Sequence, residues 1–263
     1  MVQPNGTVIV PFEGLGISAF TSADGGQTWG RTVGIASINE HLVAGGLRNP
    51  NLPSAEIDGA GTVYVVWSDC RFRTNCTSND IVVSTSTDGR TWTKTARIPI
   101  DASSTVDHFL PGIGIDHNTW GASAHLTLVY YYYPVSNCGN SCQLDVGFVT
   151  SQDGGLTWTA GQQIAGPMQL SWLPISDNGA MVADYISVSY TNGNPFGVFA
   201  VASAPTGSVL NEAMFTTKQP LLASADAPRF SSKGEQPVPN AHSDHVVVRY
   251  LDDEGTIPMK QPN

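Results

Sequence analysis

Ser151-Gln-Asp153-Gly-Gly155-Leu-Thr157-Trp158 is one of three copies of a motif that recurs along this chain. The other two copies are Ser22-Ala-Asp24-Gly-Gly26-Gln-Thr28-Trp29 and Ser86-Thr-Asp88-Gly-Arg-Thr91-Trp92. The aspartates stand 64 and 65 residues apart, and residues 215–220 occupy the place of a degenerate fourth copy. A regular period of this length indicates an internal repeat, so each repeat is expected to be one supersecondary unit.

Runs rich in β-branched and aromatic residues surround every copy. One run lies before each unit's motif, at 7–12, 62–67, 126–131 and 196–201. A second run leads directly into the motif, at 17–20, 81–84 and 146–149. A third lies between copies, at 53–58, 111–116 and 182–188. No stretch keeps a helical period, which leaves four short strands per unit. The sequence therefore predicts an all-β fold, a β-propeller with four-stranded antiparallel blades.

The motif also has a mechanical interpretation. Asp24 is placed to accept backbone N–H bonds across a tight turn, Gly26 to adopt a positive φ, and Trp29 to pack between neighbouring sheets. These positions match the Asp-box, S-x-D-x-G-x-T-W, and the chain resembles the sialidase-like superfamily of β-propellers over residues 5 to 225. In that family the Asp-box joins the third and fourth strands of a blade, on the side away from the active site. We therefore expect the motif to be structural.

The period divides the chain into blades at 1–46, 47–104, 105–172 and 173–225, followed by a linker and a C-terminal strand in 226–263. The family that the chain resembles closes its ring with six blades, whereas this length supplies about four. We accordingly expect a fragment or an incomplete propeller. The strand predicted at 245–250 is placed either to close the ring or to continue into a further segment, and His242 and His245 around Asp244 are expected to be solvated.

Charge and composition limit the classes of partner that the chain is expected to bind. The chain has 12 Lys and Arg against 22 Asp and Glu, a formal net charge of −10, with 13% charged and 41% hydrophobic residues. An acidic surface without a basic cluster argues against nucleic acid. Apolar runs are too short to span a membrane, and the N-terminus does not resemble a signal peptide.

Four cysteines fall in two close pairs, Cys70 with Cys76 and Cys138 with Cys142. Neither pair has the spacing or the histidines of a zinc site, so two local disulfides and a secreted or extracellular protein are expected, with free thiols as the alternative.

Candidate site residues follow from strand direction. If the motif turns lie at the bottom, the loops between second and third strands and the crossings into each new blade lie on top. The stretch Leu47-Arg48-Asn49-Pro50, followed by a strand and Ser68-Asp69-Cys70-Arg71, is similar to the arginine-bearing stretch of sialidases. The resemblance implies that Arg48 binds a substrate carboxylate, that Asp69 and Arg71 support it, and that Asp80 is the acid/base. Because Asn49 and Pro50 follow it, Arg48 is also interpretable as a surface loop residue.

Two further residues complete the catalytic set. Tyr185 beside Asp184 is the candidate nucleophile, although this pair is also interpretable as the start of a core strand. Asp107 beside His108 is a further catalytic candidate, and this pair also fits a turn or capping role. The sequence departs from the family at Leu47, Asn49 and Asp69, and the arginines expected in later blades have no clear counterpart.

These residues predict a glycoside hydrolase of sialidase-like type acting on acidic or complex glycans, in which a tyrosine attacks the anomeric carbon and an aspartic acid protonates the leaving oxygen. The alternative is a non-catalytic glycan-binding or adhesion module in which tyrosines of the run Tyr130–Tyr133 stack on sugars; packing between blades is the other interpretation of this run. No cofactor is expected, although Asp69, Asp80 and Asp107 are candidate ligands for a structural Ca²⁺. A monomer is expected.

Overall fold

The computed structural model describes residues 1–103, 105–139, 141–224 and 226–232, and the backbone of a strand at 248–250. The fold is all-β and is built from antiparallel sheets that follow one another along the chain as β-propeller blades. Short 3-10 helices lie in the connections, at Ala44–Gly46, Thr74–Cys76, Gly121–Ser123 and Leu170–Trp172. In the described part of the chain, no helix has the length and apolar character needed to cross a membrane.

The first sheet has three strands, β1 (Val8–Glu13), β2 (Ile17–Ser22) and β3 (Val33–Ala36). The second sheet has the four strands predicted for a blade, β4 (Ser54–Ile57), β5 (Val63–Asp69), β6 (Asp80–Ser86) and β7 (Ala96–Arg97). All neighbours within these sheets are antiparallel.

The third sheet contains β8 (Asp107–Ile115), β9 (Leu126–Tyr133), β10 (Gln143–Ser151) and, after the short β11 (Thr157–Thr159), β12 (Gln162–Gln169). A small hairpin of β13 (Ile175–Ser176) and β14 (Gly179–Ala180) follows. The fourth sheet contains β15 (Ser187–Thr191), β16 (Asn194–Thr206), β17 (Val209–Thr217) and, past β18 (Arg229–Ser231), β19 (Val248–Tyr250). Strand β8 packs against β4 on one side and β15 on the other, so the first strands of these sheets lie together.

The three motif copies form nearly identical turns, here called the Asp turns (22–29, 86–92 and 151–158). In the first, Asp24 accepts hydrogen bonds from the Thr28 hydroxyl at 2.6 Å and backbone N–H at 2.9 Å, and from the Ser22 hydroxyl at 2.7 Å. These bonds lower the pKa of Asp24 to about 2. The third turn repeats them around Asp153, and Gly26 has the predicted positive φ of 90°. The motif is therefore a self-contained turn between strands.

The tryptophans of the first and third Asp turns differ in burial. Trp158 is only 1% exposed and lies in the apolar core between the second and third sheets, whereas Trp29 is 47% exposed. The prediction that these residues pack between sheets is confirmed for Trp158 and wrong for Trp29, because no described sheet covers the outer face of the first sheet.

Both cysteine pairs form the predicted disulfides, Cys70–Cys76 and Cys138–Cys142, and no cysteine among the described residues is free. Tyr131 and Tyr133 of the tyrosine run are fully buried, which corrects the interpretation of this run as a sugar-stacking surface.

The positions of one predicted strand and of the predicted linker were partly wrong. The strand expected at 182–188 begins at Ser187, because the residues before it belong to the crossing from the third sheet. Part of the predicted linker is the strand β18, which pairs with β11. The C-terminal strand is present as β19 beside β17, while His242, Asp244 and His245 lie outside the described residues.

Candidate functional site

Loops from several sheets meet at the end of the molecule opposite the Asp turns, here called the upper end. Because neighbouring strands are antiparallel, the loops between second and third strands share this end with the crossings between sheets. The crossing 37–53 leads into the second sheet, the crossing 170–186 leads into the fourth, and the Cys70–Cys76 disulfide closes a tight loop after β5.

A depression of about 360 Å³ opens at this end, here called the upper depression. It is lined by Glu40, Leu42, Val43, Leu47, Arg48, Asn49, Pro50 and Asn178, which come from the two crossings. A second, more open hollow shares Glu40 with it and extends to Asn39 and to Arg71 and Arg73 in the disulfide-closed loop. Glu40 therefore stands between the two concave surfaces.

Arg48 ties the two crossings together. Its backbone N–H donates to the carbonyl of Ala180 at 2.8 Å, and its guanidinium donates to Oδ2 of Asp184 at 2.9 Å and to the Sδ of Met181 at 3.4 Å. The side chains of Arg48 and Asp184 are 28% and 24% exposed, so the pair is half-buried. Tyr185, next to Asp184, is 67% exposed.

Glu40 is the ionisable group most clearly perturbed at the wall of the upper depression. Burial raises the pKa of its carboxyl, repulsion from Glu13 and Asp107 adds to the shift, and hydrogen bonds from Asn51 and Asn49 oppose it. A carboxyl group with a raised pKa holds its proton closer to neutral pH, which is the property required of a general acid.

Two acceptor oxygens beside Arg48 are buried without a hydrogen-bond partner among the described residues, Oδ1 of Asn49 and Oδ1 of Asp184. A buried acceptor left unpaired costs about 1–3 kcal/mol, so such atoms are uncommon unless a ligand or ordered water completes them. Both lie at the groups that form or support the upper depression.

Asp69 and Arg71 form a closed pair. Asp69 is fully buried and accepts hydrogen bonds from the Arg71 guanidinium at 2.7 and 2.9 Å and from the Trp67 indole at 3.2 Å. Arg71 also donates to the carbonyl of Ser37. Its donors are thus largely satisfied within the protein, and the pair anchors the disulfide-closed loop to the crossing 37–53.

Asp80 is 2% exposed and is held between two arginines. Its Oδ1 accepts hydrogen bonds from Arg73 and, at 2.7 Å, from Nε of Arg97. Asp101 extends this network, since its Oδ2 lies 3.0 Å from Nε2 of the buried His108. Asp80 belongs to neither concave surface.

Asp107 joins three segments below Glu40. It is fully buried, and its Oδ1 accepts the backbone N–H of Asn79 at 2.7 Å and the Asn79 side-chain amide at 2.9 Å. Its Oδ2 lies 3.0 Å from Nδ1 of His41. The side-chain amide of Asn79 also bonds the main chain of His41, accepting its N–H at 2.9 Å and donating to its carbonyl at 2.8 Å, so this cluster fixes the position of the neighbouring Glu40.

The predicted site residues do not converge on one cavity. Arg48 lines the upper depression and Arg71 the adjoining hollow, whereas Asp69, Asp80 and Asp107 are buried in hydrogen-bonded networks and Tyr185 extends into solvent. Their catalytic and binding roles stay predictions. Sequence reasoning missed Glu40, because neither a motif nor a charge pattern in the crossing marks it.

The three aspartates considered as Ca²⁺ ligands have separate protein partners. Asp69 binds Arg71, Asp80 binds Arg73 and Arg97, and Asp107 binds Asn79 and His41. Within the described ranges, no group of three or more His, Cys, Asp or Glu side chains is arranged to hold a metal ion.

Comparison with known proteins gives fold-level similarity. No family model matches the chain, and no curated protein matches it. Among solved structures, the GH93 α-L-arabinofuranosidase of Fusarium graminearum in complex with arabinobiose is 24% identical, with a TM-score of 0.49 over 89% of this chain and 61% of that one. The Penicillium chrysogenum α-L-arabinanase complexed with arabinobiose is 17% identical, with a TM-score of 0.47 over 83% and 60%.

The intramolecular trans-sialidase from Ruminococcus gnavus is 15% identical, with a TM-score of 0.40 over 76% of this chain and 38% of that one. The chain spans 56 to 61% of the length of the Fusarium and Penicillium structures that it matches. At these levels of similarity, the assignment of the fold rests on the chain's own sheets.

Proposed function

We propose that the protein is a glycoside hydrolase acting on complex glycans, with its sugar site in the upper depression. The proposal rests on two features that occur together around Arg48. The carboxyl group of Glu40 has a raised pKa, and one oxygen each of Asn49 and Asp184 is buried without a hydrogen-bond partner among the described residues. Sugar hydroxyl groups are hydrogen-bond donors, and a glycan seated in the upper depression would supply such donors beside Arg48, where these two acceptors lie beneath the surface without a partner.

The chemistry assigned to the site needs two acidic groups. Glu40 donates a proton to the glycosidic oxygen as the bond to the leaving sugar breaks, because burial raises its pKa and so favours the protonated carboxyl group. Asp184, held by Arg48 at 2.9 Å, is the second carboxylate and takes a proton from the water whose oxygen bonds to the anomeric carbon as the glycosidic bond breaks. In the sialidase-type version of the proposal, Asp184 takes the phenol proton of the adjacent Tyr185, which then attacks the anomeric carbon.

The choice of sugar depends on the arginines. A sialidase-type site must bind the sugar carboxylate through free guanidinium groups, yet Arg48 and Arg71 are each bound to an aspartate. An acidic sugar would have to displace Asp184 or Asp69 from its arginine, whereas the hydroxyl groups of a neutral sugar leave both ion pairs in place. The pairing of both arginines therefore favours a neutral sugar of a complex glycan, rather than sialic acid, as the sugar bound next to Glu40.

The test is release of 4-methylumbelliferone from a sialoside and from a panel of neutral pentosides and hexosides. We expect turnover of a neutral glycoside that falls at least ~100-fold in Glu40→Gln. Glu56→Gln, a partly buried glutamate on β4, is the matched control and should retain wild-type turnover. Turnover that survives in Glu40→Gln would contradict the assignment of the acid, and turnover of the sialoside alone would contradict the preference for neutral sugars.

A second function, glycan binding without catalysis, is favoured by exposed aromatic side chains at the upper end. Tyr185 is 67% exposed and Phe72, between Arg71 and Arg73, is 45% exposed. Aromatic rings present flat apolar faces on which sugar rings stack. Binding on a glycan array without turnover of any glycoside, abolished in Tyr185→Ala, would support this function in place of the hydrolase.

A further inference from the structure

A small cavity of about 60 Å³, here called the lower cavity, lies between the third and fourth sheets at the end of the molecule that carries the Asp turns. Its basic and hydroxyl-bearing lining includes His125 and Thr127 where β9 begins, Tyr190 near the end of β15, and Arg229 at the start of β18. Within the described part of the chain, the rest of its lining is uncharged. The lower cavity is thus a basic hollow in a chain that carries 22 acidic against 12 basic residues.

Neither basic side chain of the lower cavity has an acidic partner among the described residues. The other described histidines all lie within 3.4 Å of a carboxylate oxygen, in the pairs His41–Asp107, His108–Asp101 and His117–Glu56. The arginines that line the two hollows of the upper end are also bound to carboxylates, in the pairs Arg48–Asp184, Arg71–Asp69 and Arg73–Asp80. His125 and Arg229 therefore differ from these residues, and both line the same enclosed space.

Asp153 of the third Asp turn is influenced by the charge of Arg229, yet no ion pair joins the two side chains. Burial acts to raise the pKa of Asp153, whereas hydrogen bonds from Thr157 and Ser151 and the charge of Arg229 lower it. Its Oδ1 accepts the Ser151 hydroxyl at 2.8 Å and the Thr157 N–H at 2.9 Å, and its Oδ2 accepts the Thr157 hydroxyl at 2.6 Å. Because this carboxylate is bound within its own turn, the guanidinium of Arg229 keeps its donors for another acceptor.

Thr127 and Tyr190 add a hydroxyl donor to the lower cavity. Thr127 is fully buried, and its Oγ1 lies 2.7 Å from the hydroxyl oxygen of Tyr190. One hydrogen bond between two hydroxyl groups uses only one of their two hydrogens. The second hydrogen has no acceptor among the described residues, so it is available to an acceptor inside the lower cavity.

We propose that the lower cavity binds one small tetrahedral oxyanion, inorganic phosphate or sulfate. A guanidinium presents paired N–H donors that match the oxygens of such an ion, and the imidazole and hydroxyl groups add single donors. These donors come from β9, β15, β18 and the residue before β9, so an ion with four oxygens fits them better than a planar carboxylate. The lower cavity is far smaller than the about 300–1,000 Å³ of pockets for larger ligands, which favours the free ion.

The bound ion would join the third sheet to the fourth and would stabilise the folded protein, because it binds only where both sheets are in place. The lower cavity lies at the opposite end from the upper depression, so this site is separate from the proposed hydrolase.

The test is isothermal titration calorimetry of the full chain with sodium phosphate and with sodium sulfate at constant ionic strength. We expect one site with a dissociation constant below ~1 mM. Arg229→Gln and His125→Phe should each weaken binding at least ~10-fold, because each removes a donor to the ion. Arg90→Gln is the matched control and should bind as the unmodified protein does, since Arg90 is an exposed arginine of the second Asp turn. Circular dichroism checks that every variant is folded.

Other anions test the shape of the ligand. Acetate should bind at least ~10-fold more weakly than phosphate, and so should phenyl phosphate, whose ring is too large for the lower cavity. Equal binding of acetate would overturn the preference for a tetrahedral ion, and equal binding of phenyl phosphate would overturn the free ion as ligand. The site itself is refuted by the absence of binding up to ~20 mM phosphate or sulfate, or by full affinity in both Arg229→Gln and His125→Phe. None of these results depends on whether the protein hydrolyses a glycoside.

Discussion

Replacing Asp80 by asparagine should destabilise the protein rather than remove a catalytic acid. The substitution keeps the size of the side chain and removes its charge. Asp80 is 2% exposed and Arg73 is 5% exposed, so the change leaves an almost fully buried guanidinium whose remaining carboxylate neighbour, Asp101, is 3.7 Å away. The sequence resemblance implied the opposite role, an acid/base.

The magnitude follows from this burial. Removing one partner of a buried ion pair costs about 3–5 kcal/mol, and the lower end applies here because Arg97 is 19% exposed and retains solvent. A loss of ~3 kcal/mol should lower the thermal midpoint by ~10 °C for a chain of this size.

The assay is thermal unfolding followed by circular dichroism, with Asp177→Asn as the control because Asp177 is exposed on the turn between β13 and β14. Turnover measured well below the midpoint should stay within a few-fold of wild type. Unchanged stability of Asp80→Asn together with a loss of turnover above ~100-fold would refute the structural role and restore Asp80 as the acid.

Three further outcomes follow from the same contacts. Burial raises the pKa of Asp145 to about 7, so the folded state binds a proton that the unfolded state releases near pH 4, and stability falls as pH rises from about 4 to about 7. Asp145→Asn should therefore stabilise the protein by ~2 kcal/mol at pH 8 and by nothing at pH 4, as measured by urea unfolding; equal effects at both pH values would contradict this. Asp153→Asn should cost ~2 kcal/mol and more than Asp24→Asn in the same assay, because only the turn of Asp153 places a fully buried tryptophan, Trp158, and a larger loss in Asp24→Asn would oppose that reason. Alkylation before reduction should leave the intact mass unchanged, since the four cysteines are paired, and four added alkyl groups would disprove both disulfides.

Local chemistry made much of the fold predictable. An aspartate, a glycine with positive φ and a threonine at fixed spacing build the Asp turn within one short segment, so the repeat revealed the sheets and their order. The fold differs from the sequence prediction where the burial of a residue depends on contacts with another sheet. Trp29 has the same local sequence signal as Trp158, but its burial depends on whether a neighbouring sheet covers it, and the motif does not contain that information.

The candidate site was less predictable, because proximity in sequence to a motif does not give the partners of a charged side chain. Arg48 was singled out, and it does line a depression, but its pairing with Asp184 joins crossings that are 136 residues apart in sequence. Glu40 was missed for a related reason: its raised pKa results from burial by the folded crossing, and no local pattern marks it.

The most direct test of the central claim is the kcat of Glu40→Gln against wild type on the best neutral glycoside, with binding of the same glycan measured in parallel. The account predicts a loss of at least ~100-fold in kcat with binding largely kept, because the substitution removes the proton but preserves the shape of the upper depression. Wild-type kcat in Glu40→Gln would contradict it, and so would glycan binding that is unaffected by charge-removing or bulky substitutions at Arg48 and Asn49.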